Sequence, residues 1–179
     1  MSTRRIRFTR ANALTLLRGL LAPALALAIL EDEAVVATAI FWVAVATDVA
    51  DGHVARRRGE VSEHGRLFDH TADAVFVSSG AAALAFVGVL PYLLAPLIAL
   101  AFVQYAVDSR IVGEREPRAS RLGHWNGIAY YVAVATPIIR DSLGFDWPGS
   151  ALVMAFGWLL VASTVVSMAS RLGVVRSAE

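Results

Sequence analysis

Six long apolar runs limit what this chain can fold into. They fall at roughly 12–30, 34–52, 66–89, 91–111, 125–142 and 149–170. Each is near the length a helix needs to cross the hydrocarbon core of a bilayer. The third and fourth runs nearly merge, but "VLPYLLAP" places Pro91 and Pro96 between them, so a turn belongs there. A composition that is 57% hydrophobic agrees with an all-α integral membrane protein rather than a soluble domain. The expectation is one domain over residues 1–179, with six transmembrane helices and a short N-terminal juxtamembrane segment.

Charge orients the spans. Arg4, Arg5, Arg7 and Arg10 precede the first; Arg56, Arg57, Arg58 and Arg66 lie between the second and third. Arg110, Arg115, Arg118 and Arg121 lie between the fourth and fifth, and Arg171 and Arg176 follow the sixth. The opposite connections carry "EDE" at 31–33, an apolar turn near residue 90 and "RDSLGFD" at 140–146, where only Arg140 breaks the pattern. The excess of arginine on one side puts both termini in the cytoplasm. The basic-then-apolar N-terminus, with small residues at Ala26 and Ala28, has the order of a signal peptide. Arg18 interrupts that run and further spans follow it, so a retained first helix is expected. The net charge of +1 gives no reason to expect a nucleic-acid partner. The absence of cysteine excludes disulfides and thiolate metal sites.

Against this apolar background, "TDVADGHVARRRGEVSEHGRLFDHTADAVFV" at 47–77 holds four aspartates. Asp48 and Asp51 are spaced i, i+3 at the end of the second span; Asp69 and Asp73 are spaced i, i+4 at the start of the third. Each pair shares a helix face. Carboxylates at a membrane boundary are costly, and four aimed at one point repel, so they need protons or cations. An all-oxygen donor set without cysteine suits Mg²⁺ or Mn²⁺, with Ca²⁺ possible. Ending the second helix at these residues would add its partial negative charge to the attraction for a cation. Gly52 and Gly65 permit close backbone approach, Ala55 keeps the face shallow, and Arg56 offers a planar fork suited to phosphate. A metal pair, two gaps and an arginine describe a diphosphate site better than a proton relay. The bland reading, helix capping or paired boundary charge, explains neither the shared faces nor the spacing.

The residues Asp48-x2-Asp51-Gly52-x2-Ala55-Arg56-x8-Gly65-x3-Asp69-x3-Asp73 match without a departure the signature of the CDP-alcohol phosphatidyltransferases. At about one in twenty per position, eight fixed positions arise by chance on the order of once in 10¹⁰ placements. The resemblance implies transfer of a phosphatidyl group from a CDP-linked lipid such as CDP-diacylglycerol to an alcohol, with release of CMP, in phospholipid biosynthesis. It implies two divalent metal ions, Mg²⁺ or Mn²⁺, on Asp48, Asp51, Asp69 and Asp73, with Asp73 as general base. It implies a nucleotide and diphosphate pocket lined by Asp51, Gly52, Ala55, Arg56, Gly65 and Asp69, an active site facing the cytoplasm, and a homodimer.

Two further polar stretches bear on substrates. In "NALTLLR", Asn12, Thr15 and Arg18 share one face. The family often opens in a similar way, which brings Thr15 toward the nucleotide; a capped helix with a snorkelling arginine is the equal alternative. In 108–127, Arg110, Arg118 and Arg121 are candidates for a phosphate on the acceptor, although a positive-inside loop accounts for any one of them. His124 stands where many relatives are basic in an "S-x-x-G-K"-like stretch. Glycerol 3-phosphate is the favoured acceptor; inositol phosphate, phosphatidylglycerol and, from "FDHTAD", amino-alcohols stay open. A cation transporter would use the aspartates but not the glycine spacing or Arg56.

Overall fold

A computed structural model describes residues 10–58, 63–111 and 121–176, with the side chains of 10–16, 50–58, 63–69, 108–111 and 172–176 outside the description. The described residues form six helices and no strands: α1 (Arg10–Leu30), α2 (Ala34–Arg58), α3 (Glu63–Phe86), α4 (Leu94–Ile111), α5 (Arg121–Ser142) and α6 (Ser150–Arg176). All six expected spans are therefore helices. Among the described residues, only Ser150–Arg171 is by itself long and apolar enough to cross a bilayer. The described side chains of α1, α2 and α4 also form apolar segments, Leu17–Leu30, Ala34–Val49 and Leu94–Val107. α5 is diluted by polar residues that hydropathy averaging had absorbed, such as His124 and Asn126.

α3 is the central element, packed on α1, α4 and α5, while α2 also packs on α5 and α6 on both α4 and α5. Between helices in lipid there is little hydrophobic drive, so close approach at small residues carries the association. The "SSGAAALA" stretch does this work inside the chain. A Cβ at Gly80 would lie 2.9 Å from Val134 and 3.0 Å from Leu25, so α1, α3 and α5 meet there. A Cβ at Gly157 would collide with the Pro91 ring, which seats the α3–α4 turn on α6. Hydroxyls add directed ties: Thr38 donates to the Ile138 carbonyl at 2.9 Å, joining α2 to α5. Large apolar residues face outward, among them Leu20, Phe86 and Leu159, a surface suited to lipid rather than water.

One end of the bundle is closed by backbone geometry. α1, α3 and α5 each finish in a left-handed residue, Asp32 (φ 60°), Gly88 (φ 79°) and Gly144 (φ 67°). At each, the next N–H reaches back five residues: Glu33 to Ala28, Val89 to Leu84 and Phe145 to Arg140, at 2.8–3.0 Å. This is the Schellman arrangement, which satisfies carbonyls that a helix end would otherwise strand. Arg140, the exception to the charge pattern, lies at this end. It is held by Asp141 at 2.7 Å and by the Pro148 carbonyl at 2.9 Å.

Candidate functional site

The opposite half of the bundle encloses a cavity of about 770 Å³. Among the described residues, every helix except α1 contributes to its wall, which includes Asp48, Asp73, Tyr131, Asn126, Gln104 and Arg171. α1 supplies what lies behind the carboxylates. Arg18 is wholly buried, and its guanidinium donates to Asp48 at 2.8 Å from one nitrogen and to Asp73 from the other. A cation in this position needs such partners, because desolvating an unpaired charge is prohibitive. Asp48 comes from α2 and Asp73 from α3, so one side chain of α1 gathers the outer members of the aspartate set. The i, i+3 face of α1 thus points inward at Arg18, rather than sending it to the membrane surface.

The sequence motif lies along these two helices. Asp51, Gly52, Ala55 and Arg56 are on α2, and Gly65 and Asp69 on α3; their side chains lie outside the described residues. α2 runs on to Arg58, about two turns beyond Asp51. Asp48 and Asp51 are therefore not at a helix C-terminus, and the partial charge expected there does not act on them. The run "GHVARRR" reads as a loop by hydropathy, yet alanine and arginine are good helix formers and the helix continues through it.

Asp73 also accepts from the Tyr131 hydroxyl at 3.1 Å. Tyr131 stacks on Phe76, and Phe41 leans on both rings, with centroids 6.1–6.5 Å apart. This aromatic floor fixes the carboxylate's position and excludes water beneath it. Among the described residues, no three acidic or histidine side chains converge on one point. The described donors, Asp48 and Asp73, are hard oxygen ligands, and Asp51 and Asp69 follow on the same helix faces one turn away. One arginine cannot balance four carboxylates, so the donor set suits divalent cations.

Across the cavity the wall is mostly apolar and is set with a few uncharged polar side chains. Ser163 donates to the Asn126 carbonyl oxygen at 2.7 Å, leaving the Asn126 amide nitrogen buried with no partner among the described residues. Gln104 donates to the Met168 carbonyl at 3.2 Å, and its own carbonyl oxygen is likewise buried and unmatched. Thr164 gives its proton to the Leu160 carbonyl, so Tyr130 must be the donor in the 2.6 Å Tyr130–Thr164 bond. Arg171 lies over the Tyr105 ring, 5.7 Å from its centroid, and Tyr105 meets His70 edge to face. His70 is thus engaged by an aromatic ring.

The expected residues divide accordingly. Asp48 and Asp73 share the cavity wall with His124. Arg121 is exposed at the first residue of α5 and does not line the cavity. Arg110 is on α4 and Thr15 on α1, with side chains outside the described residues; Arg118 lies outside them altogether. Trp125, near the start of α5, and Trp147, in the connection from α5 to α6, are both exposed, as interface anchors should be. Sequence reasoning passed over Tyr131, Gln104, Asn126 and Thr164, and took Arg171 only as a marker of sidedness.

A bundle of helices with a buried charge, a paired-aspartate wall and an apolar exterior has the build of a membrane protein. The chain belongs to the CDP-alcohol phosphatidyltransferase family, a membrane family whose model matches residues 8–170. Two curated relatives from Mycobacterium tuberculosis, strains CDC 1551 / Oshkosh and ATCC 25618 / H37Rv, are each 38% identical over 94 residues. Both are named "Probable phosphatidylglycerophosphate synthase", and the match covers 49% of this chain and 45% of each relative. The chain therefore spans under half the length of the curated relatives it matches.

Proposed function

We propose that the chain, as one domain, transfers a phosphatidyl group from a CDP-linked lipid to glycerol 3-phosphate and releases CMP. The observation that carries this reading is the placement of Asp48 and Asp73 side by side on the cavity wall, at the two ends of the family's aspartate signature. Asp48, Asp51, Asp69 and Asp73 would hold two divalent ions, Mg²⁺ or Mn²⁺. When bound, such ions draw charge from the diphosphate and make CMP a workable leaving group.

The chain's own residues do the rest. Asp73, positioned by Arg18 and Tyr131, takes the proton of the acceptor hydroxyl. The freed oxygen attacks the phosphorus bonded to the diacylglycerol; a P–O bond to the acceptor forms as the P–O bond to CMP breaks. Gly52, Ala55, Arg56 and Gly65 accommodate the cytidine diphosphate by family likeness. Opposite them, the unmatched donor of Asn126 and acceptor of Gln104 suit the hydroxyls of a small polyol. Arg171, beside them, suits its phosphate better than the exposed Arg121. The names of the two relatives support the same acceptor. Arginine placement supports a cytoplasm-facing site with both termini on that side. A homodimer rests on family likeness.

The test is CMP release by purified protein in detergent, given CDP-diacylglycerol, Mg²⁺ and one acceptor at a time. Glycerol 3-phosphate should support release; inositol phosphate, serine and phosphatidylglycerol should not. Release with another of these would keep the class and replace the acceptor. No release with any, from a folded protein, would contradict the reading.

A further inference from the structure

Among the described residues Arg18 is the one buried cation at the carboxylate wall, and it stands where the proposed metal ions need oxygen donors. Its two nitrogens hold Asp48 of α2 and Asp73 of α3 simultaneously. The guanidinium meets one oxygen, Oδ1, of each carboxylate, so it takes part of the lone-pair set that a divalent ion would use and repels that ion at close range. The two occupants compete for the same pair of carboxylates. Arg18 is wholly buried, whereas Asp48 is 45% exposed and Asp73 25%, so an ion approaches the carboxylates from the cavity while the arginine stays behind them.

We propose that Arg18 is a resident counter-ion that holds the aspartates together and gives up at least one of these contacts when a divalent ion binds there. This rests on the transferase reading above. The released charge then faces the incoming diphosphate, the next anion to enter. Metal and nucleotide binding are coupled through this side chain: each makes the other's binding easier, because both favour the arrangement in which Arg18 has let go. Arg18 is accordingly a positioning residue with a definite cost to metal affinity, which a purely structural brace would not have.

The experiment is Mn²⁺ binding followed by electron paramagnetic resonance on the full chain in detergent, with and without CDP. In wild type, CDP should tighten Mn²⁺ binding about tenfold, the size of an ordinary coupling between sites. Arg18→Gln should bind Mn²⁺ at least threefold more tightly than wild type without CDP and lose most of the CDP effect. Its metal-free melting temperature should fall, and its gain on adding Mn²⁺ should exceed that of wild type. Arg18→Lys, which keeps the charge, should stay within twofold of wild type. Unchanged or weaker Mn²⁺ binding by Arg18→Gln, beside a wild type that binds Mn²⁺ and CDP, overturns the counter-ion and leaves the transferase reading intact. A wild type that binds neither overturns both. Should Arg18→Gln not fold, the ¹⁵N guanidinium signal of Arg18 in wild type decides: it should move on titration with Mg²⁺, and a signal unmoved at saturation overturns the proposal.

Discussion

The two ends of this bundle solve opposite problems. At the end where α1, α3 and α5 finish, the chain turns tightly and satisfies itself. Three left-handed residues close three helices with matching backbone bonds, and the arginine there is bonded locally to Asp141 and the Pro148 carbonyl. At the other end, helices run on past the apolar core and bring charge inward. Arg18, Asp48 and Asp73 are drawn together across three helices, and the facing wall keeps a buried donor on Asn126 and a buried acceptor on Gln104 unmatched. Unmatched buried polar atoms cost stability, so their gathering on one cavity marks a surface shaped for a ligand. The closed end sets the helices in place, and the open end uses that rigidity.

Substitutions at each end should separate these roles. The largest effect belongs to the open end: Asp73→Asn should lower the rate of CMP release by about 10²–10⁴-fold, the range for losing a positioned base. Its melting temperature should stay near that of wild type, because the amide still accepts from Arg18 and Tyr131. Next comes a packing change: Gly157→Leu forces the Pro91 turn off α6 and should destabilise by about 1–3 kcal/mol, read by thermal unfolding in detergent. Molecules that remain folded should keep their turnover. Asn126→Leu removes the unmatched amide and should raise the acceptor KM about tenfold, equivalent to one lost hydrogen bond of about 1–1.5 kcal/mol, while the donor KM holds. The smallest effect is at the closed end: Gly144→Ala, at φ +67°, should cost about 1 kcal/mol in unfolding experiments and leave kinetics alone. A KM change from Gly144→Ala, or an unchanged acceptor KM in Asn126→Leu, would break the division between the ends.

How much of this was legible beforehand follows from what each signal depends on. Six helices and the proline-marked turn are properties of contiguous sequence, so hydropathy found them. The aspartate spacing is also local, and it placed Asp48 and Asp73 on adjacent helices. The role of Arg18 is not local. Spacing put it on a face with Asn12 and Thr15, but only the packing of α1 against α2 and α3 decides where that face points. The extension of α2 to Arg58 escaped notice because hydropathy falls while helix propensity stays high. Gln104, Asn126 and Thr164 were hidden for a related reason. A single polar residue inside an apolar run barely changes its average, and its value emerges only when α4, α5 and α6 bring several together. The small residues at 78–85 suggested a helix-packing face, with a seam between copies or alanine-rich filler as alternatives, and Val134 and Leu25 against Gly80 show packing; Gly157 against Pro91 carried no local signal.

The central claim is that the carboxylate wall is a metal-dependent transfer centre. Its most direct test is CMP release from CDP-diacylglycerol and glycerol 3-phosphate, measured after EDTA treatment and again as Mg²⁺ or Mn²⁺ is restored. The account predicts no release without metal, recovery with either ion, and no recovery in Asp48→Asn at the same metal concentration. Release that persists in EDTA, or recovery undiminished in Asp48→Asn, would contradict it.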